Sequence, residues 1–98
     1  MKYLITGKPG TTPVPPEQEL ALNQAAKEWI NARLADGTVE CHYVFLDEGG
    51  FVITNVDSHE ALLDLLMTYP FYPYNDFEVR ALCDWAHAYD KFIESLQS

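Results

Sequence analysis

Residues 56–79, VDSHEALLDLLMTYPFYPYNDFEV, carry the pattern that decides the fold. Asp57 followed three residues later by Glu60 is typical of a capping box at the start of a helix. The helix that follows has one apolar stripe, formed by Ala61, Leu62, Leu65, Leu66 and Tyr69. Two prolines end it, and residues 76–82 then alternate between apolar and polar side chains as a strand does. Residues 51–56 are rich in β-branched side chains, so one helix lies between two predicted strands.

The sequence before this stretch predicts another strand and another helix. Residues 1–6 form a first strand, and the Gly- and Pro-rich residues 7–16 form a loop. A helix begins at Pro16, a residue that favours the first helical position, and it ends at Asp36-Gly37. Its predicted apolar face consists of Leu22, Ala26, Trp29, Ile30 and Leu34.

The remaining segments complete a known order of elements. Residues 39–46 alternate as a second strand, and a hairpin at 47–50 joins them to the strand at 51–56. After the fourth strand, Asp84 is placed to cap a third helix whose apolar stripe is Trp85, Ala88, Tyr89, Phe92 and Leu96. The order βαββαβ plus a terminal helix predicts the ferredoxin-like α+β fold, with strands two and four at opposite edges of the sheet.

Length, composition and charge limit the class of protein. Residues 1–98 are expected to form a single domain, and with 48% hydrophobic residues the chain has more apolar material than so short a domain buries alone. We therefore expect a homodimer or a higher homo-oligomer, with the helix at 83–98 as a subunit contact. The formal net charge of −9 argues against nucleic acid and anionic membranes as partners. No signal-peptide pattern is present, and Cys41 and Cys83 have no metal-ligand spacing, so we expect free thiols and a cytoplasmic protein.

The stretch quoted first resembles muconolactone isomerase. In that family a helix runs into a Leu-Pro-aromatic-Pro-Tyr loop and then an Asp-hydrophobic-Glu-Val strand, positions held here by residues 69–74 (YPFYPY) and 76–79 (DFEV). The resemblance covers the larger part of the chain and implies a dimeric α+β barrel in which two sheets pack face to face. It also implies an enzyme that shifts a double bond in a small unsaturated lactone by moving a proton, with neither a metal nor an organic cofactor.

The chain departs from the family pattern where contacts with the substrate are expected. The family carries tryptophan and arginine on its second strand and charged residues in the middle of its first helix. Its tail is also shorter than the terminal helix predicted here. The residues at the departing positions are Val39, Glu40, Tyr43 and Val44 on the strand and Ala25 and Ala26 on the helix.

Proton transfer requires a base near the carbon acid and a donor for the oxyanion that develops. Alternation on the second strand predicts that Glu40 and His42 share a face, and either is a candidate catalytic base. Arg80 is the candidate anchor for an anionic substrate. The other predicted substrate-binding residues are Glu78, Asp76, Tyr72, Tyr74 and Tyr3.

Each candidate residue also has an ordinary structural interpretation. Glu40 is equally consistent with a solubilising charge on an edge strand, and His42 with a packed or solvated residue there. Arg80 is consistent with an ion pair to Glu78, and the tyrosine-rich loop with an interface contact. Because strands two and four lie at opposite edges, a shared pocket requires strand four of one subunit to approach strand two of another.

Three functional hypotheses follow from these residues. The first is an isomerase of the muconolactone isomerase type acting on a small cyclic metabolite. The second is a different cofactor-free enzyme on the same barrel, such as a monooxygenase or a cyclase, because the many aromatic residues favour a hydrophobic ligand. The third is a ligand-binding or assembly protein without catalysis, which the departures on the second strand favour.

Overall fold

The computed structural model describes residues 1–97 and contains the predicted elements in the predicted order. Two short 3₁₀ helices, Pro16–Gln18 and Tyr72–Tyr74, precede the first α-helix and the last strand. The main elements are β1 (Lys2–Pro9), α1 (Glu19–Asp36), β2 (Val39–Val44), β3 (Gly50–Asn55), α2 (His59–Met67), β4 (Asn75–Leu82) and α3 (Trp85–Gln97). None of the helices within residues 1–97 is both long enough and apolar enough to cross a membrane.

The four strands form one antiparallel sheet with the order β2-β3-β1-β4. This order confirms the ferredoxin-like α+β fold and places β2 and β4 at the two edges, as the sequence predicts. Alternate residues of the central strand β1 point to opposite faces. Tyr3 and Ile5 define the inner face, which packs on α2, and Lys2, Leu4 and Thr6 define the outer face.

The first strand is longer than predicted, because pairing continues past Gly7 to Pro9. Beyond Gly7, β1 pairs with β4 alone, since its pairing with β3 ends at Gly50. Proline has no backbone N–H, and a strand accepts it where one side has no partner strand that requires this donor. The predicted loop therefore begins three residues later than expected.

The core lies between β1 and α2. Its buried side chains are Tyr3, Ile5, Val56, Leu62 and Leu65, and Ala61 and Leu66 pack against them. Four residues of the predicted α2 stripe are therefore confirmed, whereas Tyr69 lies beyond the end of the helix at Met67. The cap of this helix differs from the prediction by one residue, since the Ser58 hydroxyl, and not Asp57, accepts a hydrogen bond of 3.0 Å from the Ala61 backbone N–H. By contrast, α1 has no fully buried residue, and its predicted apolar face is only half-buried where Trp29 and Ile30 lie.

A β-bulge changes which residues of β2 share a face. Val39 pairs with Thr54, but Cys41 pairs with the next residue of β3, Ile53, so one extra residue is inserted in β2. An inserted residue reverses the alternation of the strand that follows it. His42 pairs with Val52 and therefore lies on the inner face.

The third helix exposes its apolar stripe. Asp84 caps it as predicted, because its carboxylate accepts a hydrogen bond of 3.2 Å from the His87 backbone N–H. The large side chains of the stripe face solvent in the isolated chain, with exposed fractions from 59% for Tyr89 to 86% for Leu96, and Ala88 is half-buried. The molecule is elongated, measuring 62 Å against 27 and 24 Å. The role of α3 as a subunit contact stays a prediction.

Candidate functional site

A cavity of about 320 Å³ separates α1 from the inner face of the sheet. Its size lies at the lower end of the range for small-molecule pockets. The presence of this cavity explains why α1 is only half-buried. The lining side chains and backbone come from every layer around it: Ile5, Gly7, Pro9, Asn23, Trp29, Ile30, His42, Val44, Gly49, Gly50, Phe51, Val52, Leu66, Tyr69, Phe71, Asn75 and Phe77.

His42 is the ionisable base of this cavity. Its Nδ1 lies 3.1 Å from the backbone carbonyl oxygen of Phe51, on the neighbouring strand. A carbonyl oxygen only accepts hydrogen bonds, so Nδ1 carries the hydrogen and donates it. In the neutral ring Nε2 then holds the lone pair, and residues 1–97 supply no hydrogen-bond partner for it. The imidazole is thus oriented by the backbone in the tautomer that a general base requires.

Three other side chains bring polar atoms to the cavity. Burial raises the pKa of the Tyr69 phenol above its ordinary value of 10, so this group is a hydrogen-bond donor at neutral pH. Asn23 donates its amide N–H to the Glu19 carbonyl oxygen at 2.8 Å, which leaves its own carbonyl oxygen as an acceptor. Asn75, the first residue of β4, is half-buried at the opposite side of the lining.

Aromatic rings form most of the remaining wall. The Trp29 and Tyr69 rings meet edge to face at 5.1 Å between centroids. The indole N–H of Trp29 donates to the Thr68 hydroxyl at 2.9 Å, which fixes the ring on the C-terminal end of α2. Tyr69 also contacts Phe71 and Phe77, with centroids 6.0 and 6.4 Å away. These rings give the cavity flat apolar surfaces.

Glycines form the end of the cavity next to the β2–β3 hairpin. Gly49 has a φ of +81°, and a Cβ atom there would lie 2.2 Å from the Gly7 carbonyl oxygen. The hairpin therefore contacts β1 backbone to backbone. A Cβ atom at Gly7 would lie 3.1 Å from the Phe77 ring, so this glycine also lets that ring lie flat against β1.

The structure separates the two predicted bases. The Glu40 carboxylate lies 3.0 Å from the Lys2 ammonium group, which belongs to the outer face. The prediction that Glu40 shares a face with His42 is therefore wrong, because the bulge reverses the alternation between them. Only His42 of this pair lines the cavity.

The other predicted site residues also lie outside the cavity lining of this chain. Asp76, Glu78 and Arg80 share the outer face of β4, opposite Lys8, Thr6 and Leu4 in register, and all three are exposed. Within residues 1–97, Arg80 forms no ion pair. Their predicted roles in a pocket shared between subunits stay predictions.

The three predicted tyrosines have structural contacts. The ring of Tyr72 stacks on Phe77 at 6.0 Å, and the Tyr74 hydroxyl donates to the Gln18 side-chain oxygen at 3.4 Å. The Tyr3 side chain is buried, and its hydroxyl forms a hydrogen bond with the His59 Nδ1. The predicted loop does contribute to the site, but through Tyr69 and Phe71.

Of the cavity residues that our prediction missed, Asn23 has a recognisable sequence signal. Asn23 lies three and seven positions before Ala26 and Ile30, so it is a polar residue on the apolar face of α1. Such a residue marks the place where a helix faces a cavity. No comparable signal distinguishes Asn75, which simply follows the tyrosine-rich loop.

Solved structures of two enzymes are among those that share this fold. A crystal structure of muconolactone isomerase is 27% identical, and the match covers 86% of this chain and 90% of that chain with a TM-score of 0.76. The chain is similar to muconolactone isomerase in both fold and sequence. The resemblance found in residues 56–79 is therefore confirmed.

The second structure shows the fold alone. It is 5-chloro-2-hydroxyhydroquinone dehydrochlorinase (TftG) from Burkholderia phenoliruptrix AC1100, in complex with 2,5-dihydroxybenzoquinone. It is 16% identical, and the match covers 89% of this chain and 98% of that chain with a TM-score of 0.70. No protein-family model matches the sequence, and no curated protein matches it significantly.

Proposed function

We propose that this chain is a cofactor-free isomerase or lyase that moves a proton on a small unsaturated ring compound. The observation that carries the proposal is the orientation of His42, whose Nδ1 is bound to the Phe51 carbonyl oxygen while Nε2 is left with a lone pair beside an apolar cavity. Muconolactone isomerase, by its name, and the dehydrochlorinase are small-molecule enzymes on the same fold, which supports this class of reaction.

The proposed reaction begins with proton abstraction from a carbon next to a carbonyl group. His42 Nε2 takes this proton, and the electron pair moves into an enolate whose oxygen gains negative charge. The protonated Tyr69 phenol donates a hydrogen bond to that oxygen, and in an apolar cavity such a bond stabilises charge more than it does in water. His42 returns the proton at another carbon, or the enolate expels a leaving group such as halide and His42 then releases the proton to water. Both routes balance in atoms and electrons without a metal or redox cofactor.

Exchange of ligand hydrogen for deuterium tests this proposal directly. Muconolactone and related butenolides are incubated with the protein in deuterated buffer, and proton NMR follows the loss of the acidic C–H signal. Loss of a general base lowers rates by about 100-fold or more, so we expect such a fall in His42→Gln. Glu40→Gln, which alters an exposed carboxylate on the outer face, provides the comparison between the two candidate bases.

The exchange experiment has two results that refute the proposal. If no compound exchanges hydrogen faster with the protein than in buffer alone, the proposed isomerase or lyase function is refuted. Exchange that falls in Glu40→Gln but not in His42→Gln assigns the base to the outer face.

We further propose that the protein acts as a homodimer or higher homo-oligomer in the cytoplasm. The α3 stripe exposes four large apolar side chains along one helix, Trp85, Tyr89, Phe92 and Leu96, and contiguous exposed apolar surface of this kind marks an interaction site. A second exposed apolar segment, 43–46, lies at the other end of the sheet, beside Gly50. A two-fold arrangement lets the α3 stripe of each copy cover this segment of the other. Free thiols at Cys41 and Cys83 suit a reducing compartment.

Light scattering coupled to size-exclusion chromatography tests the assembly. We expect an oligomer for the unchanged chain and a monomer for Phe92→Glu, because a charge in the middle of the stripe opposes its burial. Lys91→Glu changes the charge of the neighbouring exposed residue and serves as the control. A monomeric unchanged chain at micromolar concentration contradicts this proposal.

A further inference from the structure

The cavity is lined without a charged side chain. Among residues 1–97, its lining set contains no lysine, arginine, aspartate or glutamate. The polar side-chain atoms come from one imidazole, one phenol and two carboxamides, which belong to His42, Tyr69, Asn23 and Asn75, and from the Trp29 indole N–H, which is already bound to Thr68. All other lining side chains are aliphatic or aromatic.

The cations of the chain are placed elsewhere. Lys2 is paired with Glu40 on the outer face, and Arg33 and Lys91 are paired with acidic residues three positions later in their own helices. Lys8, Lys27 and Arg80 carry exposed side chains on β1, α1 and β4, outside the lining. The formal net charge of −9 adds a long-range field that repels anions.

We infer that this site takes an uncharged, flat ring compound with a carbonyl group, such as a neutral unsaturated lactone or cyclic enone, and discriminates against substrates that carry a carboxylate. A carboxylate placed in this cavity would lose its hydration without gaining an ion pair, which is strongly unfavourable. The Trp29, Tyr69 and Phe77 rings offer flat apolar surfaces to a ring. The inference rests on the proposed function for the location of the site and adds the class of substrate.

Arg80 was predicted to anchor an anionic substrate, but for a ligand in the cavity of the same chain it does not have this role. Leu4, the residue opposite Arg80 in register, lies on the outer face, whereas the cavity opens on the inner face. The sheet therefore stands between the Arg80 side chain and any ligand in the cavity of the same chain.

Tryptophan fluorescence measures binding without requiring turnover. The chain has two tryptophans, and Trp85→Phe leaves Trp29, in the cavity wall, as the single reporter. Muconolactone, which carries a carboxylate, and its methyl ester form a matched pair of ligands that differ in charge. We expect the ester to bind about tenfold more tightly or better at pH 7, given the cost of an unpaired carboxylate. Equal affinities, or tighter binding of the acid, overturn the inference.

An added cation tests whether the lining sets this preference. Pro9 lines the cavity and is exposed, so Pro9→Arg places a guanidinium group at the mouth without burying it. We expect the affinity for the acid to rise about tenfold and that for the ester to change little. Thr11→Arg adds the same charge in the neighbouring loop at an exposed residue outside the lining, and it is the matched control. An equal gain in both variants overturns the inference, because net charge then determines the preference.

Binding and exchange separate this inference from the proposed catalysis. If the ester binds more tightly but no His42-dependent deuterium exchange occurs, the inferred ligand class stands and the proposed catalytic function is refuted. If deuterium exchange is as fast with the acid as with the ester, the proposed catalytic function stands and the inferred preference for uncharged substrates is refuted. If neither ligand alters Trp29 fluorescence at millimolar concentration, the cavity does not bind this class and the inference fails.

Discussion

Alanine substitution at Gly49 tests whether the close approach of the β2–β3 hairpin to β1 stabilises the end of the cavity. The φ of +81° at Gly49 is matched by Gly37, which ends α1 with the same φ of +81°. The two positions differ in their surroundings, because a Cβ at Gly49 lies 2.2 Å from the Gly7 carbonyl oxygen, whereas a Cβ at Gly37 meets nothing within 4 Å. Alanine substitution at the two sites therefore separates backbone strain from steric overlap.

The expected magnitudes follow from this difference. Alanine in the left-handed region costs about 1–2 kcal/mol, which is the whole penalty for Gly37→Ala. Gly49→Ala adds the displacement of the hairpin from β1, which we place at about 1–3 kcal/mol by comparison with overpacked cores. We thus expect Gly49→Ala to lower the free energy of unfolding by more than Gly37→Ala does.

Equilibrium unfolding in urea, followed by far-UV circular dichroism at one fixed protein concentration, measures both values. The fixed concentration matters because assembly contributes to apparent stability. Equal losses in the two variants would refute the steric argument. A shift in the midpoint at unchanged m-value identifies a true change in stability.

Three further variants test individual contacts. Thr68→Val removes the acceptor of the Trp29 indole N–H, and we expect a loss of about 1 kcal/mol in urea unfolding together with a shift of the Trp29 emission in the Trp85→Phe background. Ser58→Ala removes the cap of α2 and is expected to cost about 1 kcal/mol by the same assay, whereas Asp57→Ala, which does not provide the cap, costs less. Because burial raises the pKa of Tyr69, its contribution to stability is complete below pH 10 and is lost as the pH rises through the folded-state pKa. Tyr69→Phe should flatten this alkaline part of the stability profile, and an unchanged profile would contradict the assigned cause.

The order of elements and the sheet topology were predictable from the sequence, because hydrophobic periodicity and turn residues mark them locally. The apolar residues of α2 recur at helical spacing, and prolines mark the loop that follows the helix. The end of β1 was not predictable in this way. Pro9 joins the strand only because that part of β1 has a single partner, which is a property of the assembled sheet.

The candidate site was predictable only in part. His42 was found because histidine is one of the usual catalytic bases, but its supposed neighbour Glu40 was assigned by strict alternation. The bulge that separates them inserts a residue without a glycine or proline to mark it. The cavity is lined by Asn23, Tyr69 and the hairpin glycines, which come from distant parts of the chain. The periodicity of a single sequence carries no information on such long-range contacts.

The contact between Gly7 and Gly49 also restricts how this protein can acquire new specificities. One end of the cavity is made of backbone, and any larger residue there disrupts the hairpin instead of reshaping the pocket. Substitutions that change the size or polarity of the pocket must then occur in the opposite wall. Ile30 on α1 and Leu66 on α2 are the aliphatic positions there, so a laboratory evolution library should place its diversity on these helices and leave the glycines intact.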